Sequence, residues 1–406
     1  MSHPDTLPRA PSAAPHHIRT DAEALDIARQ LAPVFRRQAA ERDRHRILPW
    51  DEIERYTASG LGGVTVPRAY GGADVSYATL AEVFALLSAA DPSLGQIPQN
   101  HFAVLQLLRE IGTPAQQQRW FGDVLSGHRI GNAGPEKGPQ PIAQVSTRIS
   151  RTAQGLRLNG TRFYSTGALF AHWIPLRALD DTDQAVQVWV RRDAPGVEVV
   201  DDWSGIGQRT TASGTVRFND VPVADGDVVA LVPAAQRPGL AGPVSQLIQA
   251  AIDAGIAQAA FDDALVFVQT RTRPWTDSGA AQATDDPYII QEVGQLQIEV
   301  AAAHQVLLHA ARELDEIARH PVTDATSAQA SITVARAKIL TTEAALNASE
   351  KLFALAGSSA TREAHNLDRH WRNARVHTLH DPVRWKYHLL GNYLLNGVLP
   401  RRHQWN

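Results

Sequence analysis

The 406-residue chain has no cysteine, and its one methionine is Met1. Without cysteine there can be no thiol nucleophile, disulfide, iron–sulfur cluster or Cys-ligated zinc. A chain of this length ordinarily carries on the order of a dozen or more sulfur-bearing residues. Methionine is a useful gap-filler in cores, yet it is avoided here. With 24 prolines and nine tryptophans the chain is not simply low in complexity. The expectation is a protein made when sulfur is scarce. Drift in an Ala- and Arg-rich genome is the competing account, and equal transcript levels with and without sulfate would favour it. Apolar runs of spanning length are also missing, so no transmembrane helix is expected. MSHPDTLPRAPSAAPHH has no apolar signal-like region, and residues 1–18 read as a disordered arm of a cytoplasmic protein. A net charge of −3 gives no reason to expect nucleic acid as a partner. No G-x-G-x-x-G follows a strand, so no nicotinamide site is visible.

What is present falls into three parts. A helical domain is expected over 19–127. Thr20 and Glu23 form a capping box, and Leu25, Ala28, Leu31, Val34 and Phe35 follow at helical spacing in a helix reaching about Arg44. Further helices are expected over about 50–60, 77–90, 93–111 and 114–127. From 128 to 233 the pattern changes to short period-2 runs such as VSTRISR, GLRLNGTRFYS and AVQVWVRR, with a turn signal at Asn159-Gly160. These predict an antiparallel β-barrel or sandwich. From 234 to 406 long helices return, at roughly 243–270, 287–320, 326–355 and 381–399, which read as a four-helix bundle. The fold class is therefore α+β.

Asn366–Asn396 concentrates five Arg or Lys, four His and two Trp against two acids. Arginine forks match phosphate oxygens, so the stretch suits an anionic ligand; a solvated basic helix is the plainer alternative. Pro382 breaks the helical pattern and places His380 and Asp381 at a junction. His377, His380 and Asp381 lack a third ligand at compelling spacing, so no metal site is assigned. Thr270-Arg-Thr-Arg-Pro-Trp275 offers Arg273 and Trp275 as a phosphate and ring site, or as an ordinary basic helix end. Ser165 could donate to a ligand or cap a turn. Trp203 could stack on a ligand or fill core. His101 in an apolar helix is by itself more often a satisfied core residue. Asn132 could simply shape its turn.

Together these segments resemble the acyl-CoA dehydrogenase superfamily from about Asp21 onward. IGQRTTASGTVRFNDVPV is similar to its barrel segment, and LFALAGSS with LDRHWRNARV to its bundle segment. The resemblance implies a flavin between barrel and bundle, with a neighbouring subunit completing the site in a homotetramer. After WRNARV the dehydrogenases lead to Glu-Gly-Thr, whereas here the chain reads His377-Thr-Leu-His380-Asp-Pro. THTLHDPV, LDRHWRN and TRTRPW resemble instead the flavin monooxygenase branch of sulfur-acquisition enzymes, near dibenzothiophene monooxygenase.

That branch implies FMN, with FAD the alternative, supplied reduced by a separate reductase. With molecular oxygen it would oxidise a small organosulfur compound (a sulfone, sulfonate or thioether) through a flavin C4a-hydroperoxide. By carry-over, His380, Ser165, His101 and Asn132 surround the reacting side of the flavin. Arg273 and Trp275 meet its phosphate region, Trp203 packs near the ring, and Gly357 and Ser358 lie near the cofactor at the subunit interface. Imidazole, hydroxyl and amide can protonate and hold an oxygen intermediate without the repulsion a carboxylate would bring. A dehydrogenase with a relocated base and a non-catalytic flavin-fold binding protein are the competing functions.

Overall fold

The computed structural model describes residues 14–138, 145–231 and 236–406. The chain builds helices at both ends around one sheet. The first helical segment comprises α1 (Asp21–Arg36), α2 (Ala39–His45), α3 (Trp50–Ala58), α4 (Tyr77–Ala90), α5 (Pro92–Gln96), α6 (Gln99–Ile111) and α7 (Pro114–Leu125). Thr20 caps α1 by accepting from the Glu23 amide at 3.2 Å, and Glu23 accepts in turn from the Arg19 amide at 2.8 Å.

Two expected helices are each broken. The helix reading to Arg44 keeps Pro33 inside α1 and divides into α1 and α2 at Gln38, whose backbone leaves the helical region at φ −121° and ψ 12°. The helix expected over 93–111 divides at Pro98 into α5 and α6, because Pro98 has no N–H to donate to the ladder. Buried Arg42 ties these short pieces together through Asp91 at 2.8 Å and Glu52 at 2.7 Å.

Residues 1–13 of the expected arm lie outside the described residues. Its last residues are not loose: the His16 amide donates to the Ala58 carbonyl at 2.9 Å, and Ile18 is buried in the main core.

The sheet has seven strands, β1 (Arg148–Thr152), β2 (Gly155–Arg162), β3 (Trp173–Leu179), β4 (Ala185–Arg191), β5 (Val197–Val200), β6 (Thr215–Val223) and β7 (Val228–Ala230). Their order is β5-β6-β2-β1-β3-β4-β7, with β1 and β3 parallel and every other neighbour antiparallel. Among the described residues the sheet is open and mixed, not the antiparallel barrel expected. Period-2 patterning says which face of a strand is buried; it does not say which way the neighbour runs. The segment 163–172 crosses over and brings β3 back alongside β1. Asn159-Gly160 is likewise no turn: it sits inside β2, where pairing with β6 shifts register between Leu158 and Gly160. Gly160, at φ 158°, serves a bulge there, and a Cβ would lie 2.4 Å from Thr147 Oγ1.

The C-terminal segment begins with α8 (Ala241–Thr270), α9 (Pro287–Ala318) and α10 (Asp324–Ala356), then the shorter α11 (Asp368–His377) and α12 (Arg384–Asn396). α8 is buried on all sides through Leu247, Ile248, Ile252 and Ile256, and α4, α9 and α10 all pack on it. Such a helix is the hub of a core. α12 packs on α10 and ends at Asn396, short of the expected 399. Trp120 of α7 stacks on Trp189 of β4 with ring centroids 4.0 Å apart, joining the first helices to the sheet.

Candidate active site

The segment from Trp203 to Gly214 is the hinge on which the site is built. Trp203 Nε1 donates to the Gln208 carbonyl at 2.8 Å, and Thr211 Oγ1 donates to the same carbonyl at 2.9 Å. Thr211 then reaches Ser213, and Ser213 reaches Thr166, each at 2.7 Å between hydroxyl oxygens. Ser165, next to Thr166, donates its amide to Gly214 at 3.2 Å. On its other side the Gln208 amide donates to Asn373 Oδ1 of α11 at 2.7 Å. Gly207 permits this close approach, because a Cβ there would lie 2.0 Å from the Arg372 carbonyl oxygen. One turn beyond Asn373 stands His377, and then the junction with His380.

At that junction His380 Nδ1 donates to Asp381 Oδ1 at 3.0 Å, and the Gln249 amide nitrogen lies 3.5 Å from His380 Nε2. Asp381 Oδ1 thus fixes the proton on Nδ1 and leaves Nε2 facing Gln249. The sequence reading puts imidazole where a carboxylate belongs; the structure supplies both, side by side and bonded to each other. Burial opposes the charge on Asp381, yet the His380 hydrogen bond and the charges of Lys338, His380 and Lys386 hold its carboxyl below the usual range.

Behind the junction lies a fully buried group. Asp253 of α8 accepts from Lys338 Nζ at 2.7 Å, from Thr342 Oγ1 at 2.9 Å and from His377 Nδ1 at 2.5 Å. Burial raises the Asp253 pKa, but Lys338 and His377 outweigh it and bring the carboxyl down to about 2. Burial lowers the His377 pKa against the opposing pull of Asp253.

Several buried polar atoms here have no partner among the described residues: Ser165 Oγ, both amide atoms of Gln208 and of Gln246, Gln249 Oε1, His377 Nε2 and Asp381 Oδ2. Buried groups of this kind cost about 1–3 kcal/mol each unless something meets them. Donors and acceptors together fit the alternating carbonyl and N–H edge of a flavin.

The other expected residues fall in two places. Asn132 lies on the loop that docks against Thr166, its amide donating to the Thr166 carbonyl at 3.0 Å, and its side chain makes no hydrogen bond among the described residues. Trp203 is half-buried, 6.1 Å from Tyr164 and 6.4 Å from Phe163 between ring centroids. His101 is buried with both nitrogens engaged by backbone: Nε2 lies 2.8 Å from the Gly62 carbonyl, and Nδ1 accepts from the Ile130 amide at 3.1 Å. It clamps the strand entry two residues before Asn132, and burial lowers its pKa to about 4.

Arg273, Trp275, Gly357 and Ser358 gather elsewhere, at the exposed end of the long helices. Thr272 Oγ1 donates to the Ala356 carbonyl at 3.2 Å and holds the two loops together. No hydrogen bond links this group to His380 among the described residues.

The basic stretch does not form one anion site. Arg369 and His370 pair with Asp263 at 2.6 and 2.7 Å, and Arg372 pairs with Asp43 and Asp368 at 2.6 and 2.7 Å. Lys386 donates to the Trp405 carbonyl. These cations hold α11 and α12 to the rest of the chain.

Sequence reasoning missed Gln208, Gln246, Gln249, Asp253 and Lys338. A signal for three of them exists: Gln246, Gln249 and Asp253 recur at i, i+3 and i+7 in a stretch of α8, residues 244–257, whose only other polar residue is Ser245.

Two family models match, the acyl-CoA dehydrogenase N-terminal domain over residues 21–128 and the acyl-CoA dehydrogenase C-terminal domain over residues 247–385. The chain belongs to the acyl-CoA dehydrogenase family. Within it, dibenzothiophene monooxygenase of Rhodococcus qingshengii is 33% identical, across 95% of this chain and 97% of that protein. A probable FMNH2-dependent monooxygenase, SfnC of Pseudomonas putida, is 30% identical across 93% of this chain and 96% of that protein. The crystal structure of FMN-bound TdsC from Paenibacillus sp. A11-2 superposes with a TM-score of 0.90 at 30% identity, covering 94% of this chain and all of that one, 100%. Among the described residues no helix is long and apolar enough to cross a membrane.

Proposed function

We propose that this chain is a two-component FMN-dependent monooxygenase that transfers an oxygen atom from O2 to a small organosulfur compound, with reduced FMN supplied by a separate reductase. One observation carries the choice over desaturation. The two buried carboxylates by the site, Asp253 and Asp381, are both tied to imidazoles and held ionised. A base that removes an α-proton works best with its pKa near the operating pH, and these are depressed far from it. The FMN-bound and FMNH2-dependent relatives support the cofactor.

Reduced FMN, when bound, supplies the oxygen-activating chemistry. The chain's own residues shape and dry the pocket. His380 Nε2, oriented by Asp381, holds or gives a proton. Ser165 Oγ and the Asn132 amide hydrogen-bond the reacting side, and His101 keeps the Asn132 loop in place. Trp203 covers the ring. Arg273, with Trp275, Gly357 and Ser358, meets the phosphate end at a subunit interface. The assembly is a homotetramer, a dimer of dimers, and the exposed Trp385, Leu394 and Leu395 of α12 support burial against another copy. α12 is the fourth member of the helical bundle, the open mixed sheet forms the middle domain, and the divisions fall at 19–127, 128–233 and 234–406. The protein works in the cytoplasm.

The test supplies FMNH2 and 18O2 with a thioether, a sulfone and a sulfonate, and follows label into product. In parallel, FAD-loaded protein is mixed anaerobically with acyl-CoAs. Label in the sulfur product with no bleaching by acyl-CoA is expected; bleaching without label would establish the dehydrogenase.

A further inference from the structure

The Asp253 group sits behind His380, and the proposed function excludes it as a base without giving it a role of its own. Its members come from three helices: Asp253 from α8, Lys338 and Thr342 from α10, His377 from α11. The side chains of Asp253, Lys338 and His377 are 0% exposed. A buried ion pair stabilises a fold weakly against apolar residues of the same shape, so its presence calls for another reason. The hydrogen bonds suggest one. Lys338 and Thr342 both donate to Oδ2, and this leaves Oδ1 to accept from His377 Nδ1. The imidazole proton is therefore on Nδ1, and Nε2 is bare, buried and without a partner. The His380 amide donates to the His377 carbonyl at 3.0 Å, so the two imidazoles share one turn.

We infer that Asp253 and Lys338 are positioning residues: they lock His377 as a neutral, Nδ1-protonated imidazole whose bare Nε2 accepts a proton beside His380. The arrangement rests on the functional reading above for its purpose, but its geometry is independent of it. Lys338 keeps Asp253 ionised, so the proton stays on the ring. The charged and titratable groups facing His377 are Asp253 from α8, Lys338 from α10 and His380 from the turn after α11. Asp253 favours the imidazolium; Lys338 and His380 oppose it. Two opposite influences on one ring make a test that a merely structural role would not pass.

The first readout needs no variant and no turnover. In flavin-free wild-type protein, histidine ring 15N–1H spectra should show His377 with Nδ1 protonated and Nε2 bare at neutral pH. A proton on Nε2 would overturn the inference. Asp253→Asn should turn an amide NH2 toward Nδ1 and flip the tautomer, lowering kcat by about 100-fold or more while KM holds. Lys338→Met should move the acidic limb of the kcat–pH profile up by about one unit or more, and Asp253→Asn should move it down. Limbs that move in the same direction would overturn the assignment. Should a single variant fail to fold, the double variant Asp253→Asn/Lys338→Met removes both charges together, and its limb should return toward the wild-type position. If no sulfur compound is oxygenated at all, the functional reading fails while the tautomer result stands.

Discussion

The inner and outer halves of the site differ in how far one chain can organise them. His380 is itself exposed, but the elements behind it are pinned. A hydrogen-bonded path runs from Thr166 through Ser213, Thr211 and Gln208 to Asn373, and Asp253 stands behind it fully buried. At the outer group Trp275 is 71% exposed, Arg273 is exposed, and among the described residues Arg273 has no hydrogen-bond or ionic partner and one side-chain bond, Thr272 to Ala356, joins the two loops. The inner half is preorganised for chemistry, which needs groups fixed to within fractions of an ångström. The outer half presents an exposed guanidinium and an indole whose Nε1 donates only to nearby Asp277, at 3.1 Å. On the function proposed above, the reacting end belongs to one chain, and the phosphate end is completed when a second copy covers it.

The largest effect should come from the inner half. His380→Ala removes an imidazole whose Nδ1 is held by Asp381 and whose Nε2 lies 3.5 Å from the Gln249 amide nitrogen. Oxygenation should fall by between about 100-fold and about 10,000-fold, the usual range for a lost acid–base group. FMN affinity, measured by fluorescence quenching, should stay within about threefold, because no phosphate contact is touched. Weak FMN binding with normal turnover would erase the distinction between the halves.

The two halves were also unequally legible in the sequence. Arg273, Trp275, Gly357 and Ser358 belong to loops at helix ends, and short motifs in loops read directly. So does the Pro382 break that exposes His380. The inner relay does not read, since Asp253, Lys338 and His377 are 85 residues and 124 residues apart along the chain and meet only when α8, α10 and α11 pack. Of the three only Asp253 shares a pattern along one helix, with Gln246 and Gln249 of α8, and that pattern does not say which residues of other helices it will meet. In the fold, helix spacing located every long helix to within a few residues. Pro98 broke one expected helix and Gln38 another, and strand direction was invisible because alternation is the same in parallel and antiparallel neighbours.

A second way to probe the inner half is its stability against pH. His101 titrates near 6.5 when unfolded and at about 4 in the fold, because burial disfavours the imidazolium. Between those values the unfolded chain binds a proton that the folded chain refuses. Unfolding is therefore favoured as pH falls from 6.5 toward about 4, and the contribution amounts to about 3 kcal/mol. His101→Asn should be less stable at pH 7, for loss of the Gly62–Ile130 clamp, yet show a shallower fall on acidification. Urea unfolding at pH 7 and pH 4.5 measures both; an unchanged slope would show that His101 is not the group that titrates.

The smallest effect should come from the outer half, and it sharpens the comparison most. Arg273 is exposed and at most gains one charge-assisted contact when phosphate binds, a contribution of about 1.5–3 kcal/mol. Arg273→Ala should weaken FMN binding by about 10- to 100-fold and leave kcat at saturating FMNH2 near the wild-type value. If Arg273 acts across a subunit boundary, mixing it with His380→Ala gives a second reading. A tetramer holding both kinds of chain contains sites in which an intact His380 faces an intact Arg273 from its neighbour. Those sites should oxygenate at low FMN concentration, where each parent alone is poor. Mixed assemblies no better than the average of the parents would place Arg273 and His380 in sites of the same chain, and the boundary drawn between the two halves would have to move.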